Sequence, residues 1–415
     1  MSGDDRLEPC GLISSAKLVG FTVVAGYERL LGLLERFGTI DYRGDPAHPV
    51  GGASVVAVPY DFRCSIVAAA ERLDAVVCAH FGNMTQTERA GRVVVVAHSM
   101  GGLVARVWLG LLGRWPWCRS LITLGTPHRG APKALTWLVN GVPLISGVTE
   151  VLRGWESVYE LLPRYPVIRD TASGRDRYPH QLDIPWLRSR AKAGYQLHGE
   201  IEKSWNTMPR MGPVVVPCIG WSHPTPDACV WEDGRLRVTK TPWITAQGWK
   251  RDFGDGTVPA YSALPIEMND QITSRIPVRE RHGRLAHADV ITTLIHEQFD
   301  YQSPTMAAGP GELPPAIGLD IDEVHPAGAP IPLTVALRRV TADISKQRVW
   351  ARSRARDTGG PWDRSPLTWD ESAGVFVGEP PSQALGLYEV QIRARAVGGV
   401  GDLECADTVA VVEGG

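Results

Sequence analysis

Residues 93 to 109 read VVVVAHSMGGLVARVWL, and their pattern indicates a strand followed by a helix. Val93 to Val96 is an unbroken β-branched run, which is typical of a strand buried on both faces of a parallel sheet. After Gly102, apolar residues recur at helical spacing. Ser99 therefore lies where a buried strand turns into a helix, the place where a nucleophilic serine is presented. The alternative is a glycine-rich turn without chemistry, and Ala97 stands where the usual motif has its first glycine.

Strand-like and helix-like segments alternate along the chain from residue 27 to about residue 300. This alternation predicts an α/β fold with a mostly parallel sheet. The predicted strands are 53–63, 93–96, 120–130, 213–221 and 274–282, and the predicted helices are 27–38, 65–81, the segment after Ser99 and the segment after His287.

One segment, residues 131 to about 210, interrupts the alternation. It holds apolar helical stretches, many Trp and Tyr residues, and no convincing strand. We interpret it as a helical cap inserted between two strands, which would shape a pocket over the Ser99 turn. A helical subdomain with a purely structural role is the alternative.

The composition changes again after residue 302. Residues 303–316 are rich in Pro, Gly and Ala, as linkers are. Residues 317–415 hold short alternating segments separated by turn residues, which predicts an all-β, immunoglobulin-like sandwich. The predicted domains are therefore 1–302 and 317–415. We expect the second to fold separately and to be dispensable for chemistry.

Charge and cysteine content exclude several classes of protein. The net charge is −2 and no basic block stands out, so nucleic acid is not an expected partner. No apolar run reaches transmembrane length, and the first twelve residues lack the pattern of a signal peptide. The seven cysteines show no metal-ligand spacing, and we expect Cys218 and Cys229 to be free thiols rather than a pair. These features predict a cytoplasmic protein.

A nucleophilic serine requires a base and an acid that orients the base. In triads built on such a turn, the acid follows the serine in the chain and the histidine comes last. Asp255 lies between two glycines soon after the 213–221 strand, in a loop that presents its carboxylate. Asp252 and Asp270 compete with it, and a surface Asp-Gly turn is the alternative without chemistry.

Four histidines follow this loop, and one of them fits the base. His282 comes directly after a predicted strand and before Gly283, where a base is expected, and His287 is the second choice. His296 lies within the final helix of the first domain, and His325 lies past the linker. His98, next to Ser99, is interpreted as a packing residue.

Six short motifs follow one another along the chain: PYDFR, AHSMGGLVAR, GTPHRGAPKAL, SVYELLPRYP, GDGTVP and RHGRLAHADVITTL. In this order they resemble the lecithin:cholesterol acyltransferase family of the α/β-hydrolase superfamily. The resemblance covers residues 11 to about 300, leaves 317–415 uncovered, and has Phe62 where the family has Trp. It implies Asp255 as the acid and His282 rather than His287 as the base.

The resemblance implies a serine-dependent lipase, esterase or O-acyltransferase that acts on lipid-like esters through an acyl-enzyme. The amide of Met100, the residue after the nucleophile, is the expected oxyanion donor. We expect no metal and no organic cofactor. Beyond the ester substrate, the C-terminal β domain is a candidate for contact with a protein or a surface. Water or an alcohol as the acyl acceptor is left open.

A second oxyanion donor normally comes from a loop between an early strand and the first helix. Residues 18–26 are the strand candidate, which would end in a donor loop at Ala25 and Gly26. Compared with the family's pattern, however, this region corresponds to a segment downstream of the donor loop. The relatives carry a Pro-Gly-x-x-Gly-Ser-like turn before that segment, and this turn is not seen here. This favours a poor esterase, or a hydrolase scaffold that only binds a ligand or partner. An upstream extension would restore activity and would make a secreted protein conceivable.

Overall fold

A parallel four-stranded sheet forms the centre of the first part of the molecule. Its strand order is β12-β9-β6-β5, and every pairing within it is parallel. The structure is a computed structural model. It describes residues 8–12, 17–19, 22–24, 26–143, 147–209, 211–240, 253–268, 275–299, 314–341, 343–356, 359–382, 384–398 and 400–413. The strands of this part are β1 (Lys17–Val19), β2 (Thr22–Val24), β3 (Ile40–Asp41), β4 (Val55–Val56), β5 (Val93–His98), β6 (Cys118–Leu124), β7 (Ile168–Asp170), β8 (Asp176–Arg177), β9 (Val214–Gly220), β10 (Ala228–Glu232), β11 (Arg235–Thr239) and β12 (Ile276–Val278).

Helices cover both faces of this sheet, as a parallel sheet requires. On one face a large apolar core joins α2, α4 and the cap helices, with Trp108 fully buried in it. On the other face α9 packs through Ile291 and Ile295, and α1 packs beside it. The helices are α1 (Glu28–Leu34), α2 (Ile66–Phe81), α3 (Gln86–Arg89), α4 (Met100–Gly110), α5 (Pro132–Asn140), α6 (Val148–Gly154), α7 (Glu156–Glu160), α8 (Pro185–Asn206) and α9 (Asp289–Phe299).

The predicted α/β class is confirmed, with two local differences. The segment 53–63 is a strand at Val55 and Val56 only, and Pro59, which has no N–H to donate, cannot extend the ladder. The strand candidate 18–26 is a hairpin in which β1 pairs antiparallel with β2, and Ala25 lies outside the described residues.

The expectation that residues 131–210 hold no strand is wrong. β7 and β8 lie in this segment, and they join β10 and β11 in a small sheet of order β11-β10-β7-β8. Each of the two is only two or three residues long. The sheet draws half of its strands from beyond residue 210, so the cap segment is completed by a hairpin that follows β9.

The last part of the chain forms two sheets that enclose an apolar core, as predicted for a β-sandwich. One sheet has the order β13-β15-β19-β18 and the other β14-β21-β20-β16-β17. The predicted linker lies largely outside the described residues, and the first strand starts at Ala316. The strands are β13 (Ala316–Ile321), β14 (Val324–Pro326), β15 (Leu333–Arg338), β16 (Arg348–Ala355), β17 (Asp363–Pro366), β18 (Thr368–Asp370), β19 (Val375–Gly378), β20 (Gly386–Val397) and β21 (Gly401–Val412).

Candidate active site

Ser99 occupies a sharp turn between the end of β5 and the start of α4. Its φ is +53° and its ψ is −127°, a backbone conformation that L-residues rarely adopt. The Ser99 N–H donates to the carbonyl of Leu124, 2.9 Å away, which ties the turn to the neighbouring strand. The helix approaches that strand closely, because a Cβ at Gly102 would lie 2.0 Å from Oγ1 of Thr126. The predicted strand-to-helix presentation of the serine is thus what the backbone adopts.

Asp255 lies in the loop that follows the hairpin β10–β11, and it is 1% exposed. One carboxylate oxygen, Oδ1, accepts the N–H groups of Thr257 at 2.9 Å and Val258 at 2.6 Å. Burial by itself raises the pKa of Asp255, but the charge and hydrogen bond of His282 and the two amide donors outweigh it. The pKa of Asp255 is therefore held below its usual range. The two competing acids, Asp252 and Asp270, lie outside the described residues.

His282 joins the other two side chains. Its Nδ1 is 2.7 Å from Oδ2 of Asp255, and its Nε2 is 2.9 Å from Oγ of Ser99. A carboxylate accepts only, so Nδ1–H donates to Asp255 and Nε2 is left to accept from the serine hydroxyl. The His282 N–H also donates to the Asp255 carbonyl at 2.9 Å. Such a relay can remove a proton from the serine as the hydroxyl attacks a carbonyl carbon.

The other candidate histidines have different partners. The Nε2–H of His287 donates to the carbonyl of Gly26, 2.9 Å away. His296 packs edge-on against Phe37, with 4.8 Å between ring centroids, and His325 lies in β14 of the sandwich. The structure therefore brings His282, and not these three, to Ser99 and Asp255.

His98 does more than fill space beside the turn. Its Nε2–H donates to the backbone carbonyl of His282 at 2.8 Å, and its Nδ1 accepts from the hydroxyl of Tyr27 at 2.8 Å. Burial, reinforced by the nearby His282, lowers the pKa of His98 to about 3. A neutral His98 thus holds the backbone of the base, a role that the sequence interpretation of it as a packing residue missed.

The amide of Met100 stands at the first position of α4, where helix geometry leaves N–H groups without an intrahelical acceptor. That position suits an oxyanion donor. Of the second candidate pair, Gly26 is buried with a φ of +93° and its carbonyl binds His287, whereas Ala25 lies outside the described residues. The second donor therefore stays a prediction.

The described residues also bear on metal binding and on membrane insertion. Within the described ranges, no group of three or more His, Cys, Asp or Glu side chains is arranged to hold a metal ion. No helix in those same ranges has the length and apolarity needed to cross a bilayer. Cys218 and Cys229 are both buried free thiols.

Comparison with known proteins gives one family match. The lecithin:cholesterol acyltransferase model matches residues 11–173, a segment that contains Ser99 and ends before Asp255. No curated protein matches the chain.

Solved structures resemble the chain only distantly. The Bacillus licheniformis lipase BlEst2 in its propeptide form is 11% identical, with 85% of this chain and 86% of that chain covered and a TM-score of 0.36. The mature form is 13% identical, with 59% and 78% covered and a TM-score of 0.32. The chain spans 21% of a family 76 glycoside hydrolase from a bovine Bacteroides thetaiotaomicron strain, which is 17% identical over 24% of this chain with a TM-score of 0.19.

The family model covers the strand, turn and helix around Ser99, and the sheet that carries them is parallel with helices on both faces. Over residues 11–173 the chain is therefore similar to the lecithin:cholesterol acyltransferase family, and its core has a parallel-sheet α/β fold.

Proposed function

We propose that the protein is a serine-dependent lipase, esterase or O-acyltransferase that uses Ser99, His282 and Asp255. The observation that carries this proposal is the continuous hydrogen-bonded chain from the Ser99 hydroxyl through the imidazole to the buried carboxylate. The strained Ser99 backbone at a strand-to-helix turn supports it independently, since such strain concentrates at functional sites.

The reaction is acyl transfer in two halves. His282 Nε2 takes the Ser99 proton while Oγ attacks the ester carbonyl carbon, and Met100 N–H donates to the oxyanion that forms. The tetrahedral intermediate collapses to an acyl-enzyme, and the imidazolium returns the proton to the leaving alcohol. Asp255 stays ionised throughout and stabilises the imidazolium. Water or an alcohol then takes the acyl group by the reverse steps.

The substrate class follows from the cap and the family. Apolar and aromatic residues of α5 to α8 form one core with α4, the helix that follows Ser99, so the site stands beside a large apolar region. The family name refers to transfer of an acyl group from a phospholipid to a sterol. A lipid-like ester is therefore the proposed donor, and the acceptor is water or a lipid alcohol.

The test compares the wild-type protein with Ser99→Ala on p-nitrophenyl esters of short and long acyl chains. Loss of a triad nucleophile costs about 10⁶-fold in turnover, so the variant should show no enzymatic turnover above the blank. Ser173→Ala, a change in an exposed loop of the cap, is the matched control and should retain full activity. Residual activity above a tenth of wild type in Ser99→Ala would disprove the assignment. Adding an alcohol and measuring the ester formed distinguishes transfer from hydrolysis.

A further inference from the structure

The two loops that carry Asp255 and His282 contact the β-sandwich. Three buried side chains are central to these contacts: Arg281, His223 and Glu323. Arg281 directly precedes His282 in the chain, and His223 lies in the loop after β9. Glu323 belongs to the turn between the first two sandwich strands, β13 and β14.

Arg281 extends from the base loop into the sandwich. Its guanidinium pairs with the carboxylate of Asp407 in β21, and both side chains are at most 6% exposed. Its terminal nitrogens donate to the carbonyls of Leu319 at 2.8 Å and Ile321 at 3.2 Å, both in β13. A charge buried this deeply stays in place only with such partners.

The same guanidinium lies flat against the acid loop. A Cβ built on Gly256, the residue after Asp255, would lie 2.8 Å from Cζ of Arg281. Gly256 also has a φ of +92°, which only glycine adopts without strain. Arg281 therefore touches the acid loop, precedes the base, and is held in the sandwich by Asp407.

His223 also forms hydrogen bonds to the acid loop, to the segment before the base and to the first sandwich strand. Its Nε2–H donates to the carbonyl of Arg279 at 2.8 Å, and its Nδ1 accepts the N–H of Leu319 at 3.1 Å. Its backbone exchanges two hydrogen bonds of 3.0 Å with Gly254. One neutral imidazole thus connects the acid loop, the segment before the base and the first sandwich strand.

Glu323 completes the interface. Its carboxylate accepts from the Thr257 hydroxyl at 3.2 Å and from Nζ of Lys133 at 2.5 Å. Thr257 also donates its N–H to Asp255, and Lys133 lies at the start of α5. The sandwich is therefore bonded to the acid loop and to the cap at once.

We propose that the β-sandwich is a positioning element for the triad, in which Asp407 and the β13 carbonyls act through Arg281 to hold His282 against Ser99 and Asp255. This inference rests on the proposed function. It replaces the expectation that residues 317–415 are dispensable, because the interface consists of buried ionic and backbone hydrogen bonds rather than a flexible tether.

The test uses the full chain and the variant Asp407→Asn, which removes the charge but keeps an oxygen for the N–H of Thr408. We expect kcat for a p-nitrophenyl ester to fall on the order of 10²-fold, the usual cost of misplacing reacting groups by about 1 Å, with KM changed less than about twofold. Glu404→Gln is the matched control. Glu404 lies in the same strand, and its ion pair with Arg393 at 2.9 Å is exposed, so kcat should not change.

A second readout does not depend on turnover. The proton between His282 Nδ1 and Asp255 should give a low-field ¹H resonance in wild type and Glu404→Gln, and this resonance should shift or broaden in Asp407→Asn. If wild type lacks turnover but the resonance behaves in this way, the proposed function fails and the positioning role stands. If Asp407→Asn matches wild type in kcat and in the resonance, the positioning role is wrong.

Asp407→Asn leaves the buried Arg281 without its countercharge and could unfold the protein. A second variant therefore separates the loss of positioning from unfolding. Exchanging both partners for apolar residues, as in Arg281→Met with Asp407→Leu, is often neutral for stability at buried pairs. We expect this double variant to fold with a melting temperature near wild type, to show the same fall in kcat and to lose the resonance. Wild-type kcat in the folded double variant would overturn the proposal.

Discussion

At the scale of single residues, Ser99 accepts a backbone conformation that costs about 1–3 kcal/mol for a non-glycine residue. The hydrogen bond from its N–H to Leu124 helps to hold that conformation. This conformation places the Ser99 hydroxyl 2.9 Å from the imidazole of His282, within hydrogen-bond distance. The neighbouring His98 then holds the backbone of His282 through its carbonyl. The nucleophile and the base are thus coupled by backbone as well as by side chain.

The two histidines of the base loop should respond very differently to substitution. His282→Ala removes the only ring within hydrogen-bond reach of Ser99 in the described residues, and turnover should fall about 10⁶-fold. His287→Ala removes a hydrogen bond to Gly26 and should change turnover less than about tenfold while lowering the melting temperature. Steady-state ester hydrolysis of both variants is the measurement. A near-complete loss in His287→Ala with mild loss in His282→Ala would reverse the assignment.

At the scale of elements, two glycines follow Met100 at the start of α4, and they differ in how closely other atoms approach them. Gly102 faces Thr126 so closely that no side chain fits between the helix and the turn after β6. Gly101 has room, since the nearest atoms to a Cβ there are the hydroxyl of Tyr60 at 3.6 Å and Cβ of Ala97 at 3.8 Å. Close packing therefore requires one of the two glycines and not the other.

Alanine substitutions at these positions test that difference. Gly102→Ala should lower the free energy of unfolding by about 1–3 kcal/mol, the usual cost of overpacking a core. Gly101→Ala should leave it unchanged or raise it by up to about 1 kcal/mol, because alanine favours a helix. Chemical denaturation of both variants gives the two values. Equal effects would mean that the contact with Thr126 does not restrict position 102.

The elements show where sequence reasoning succeeds and where it stops. The β-branched run at Val93 and the helix from Ile66 to Phe81 are visible in the sequence because each carries its own period of apolar residues. The strands of the cap are not visible, because β7 and β8 are too short for a period. Among the described strands β8 pairs only with β7, and the other partner of β7, β10, lies far along the chain, beyond the cap segment. The pairing of Arg281 with Asp407 is not visible either, because it depends on how the two domains pack. Arg281 opens the motif RHGRLAHADVITTL, but nothing in that motif indicates a partner in the sandwich.

At the scale of the whole molecule, the sandwich and the α/β part share buried polar contacts beside the loops of Asp255 and His282. His223 takes part in them, and it is fully buried. Burial, reinforced by the charge of Arg281, lowers the pKa of His223 to about 3. Its Nδ1 must stay unprotonated to accept the N–H of Leu319, so protonation and this contact exclude each other.

This predicts a specific dependence of stability on pH. In the unfolded chain His223 titrates near its ordinary pKa of about 6.5, so between that pH and about 3 the unfolded state binds a proton that the folded state does not. The stability contributed by neutral His223 is present above pH 6.5 and is lost as the pH falls through this window. The loss amounts to about 2 kcal/mol between pH 7 and pH 5. His223→Gln removes the titration, so the stability gap between wild type and variant should narrow by that amount at pH 5. Urea unfolding at both pH values measures it, and a gap that does not vary with pH would contradict the prediction.

Covalent labelling of the full chain with a fluorophosphonate shows whether Ser99 is an activated nucleophile. Only a serine whose hydroxyl is activated by a neighbouring base reacts rapidly with such a probe. We predict that the native protein takes up about one equivalent. Peptide mapping should place it on Ser99, and Ser99→Ala and heat-denatured protein should take up none. If the native, folded protein remains unlabelled, or is labelled at another serine, then Ser99 is not the activated nucleophile.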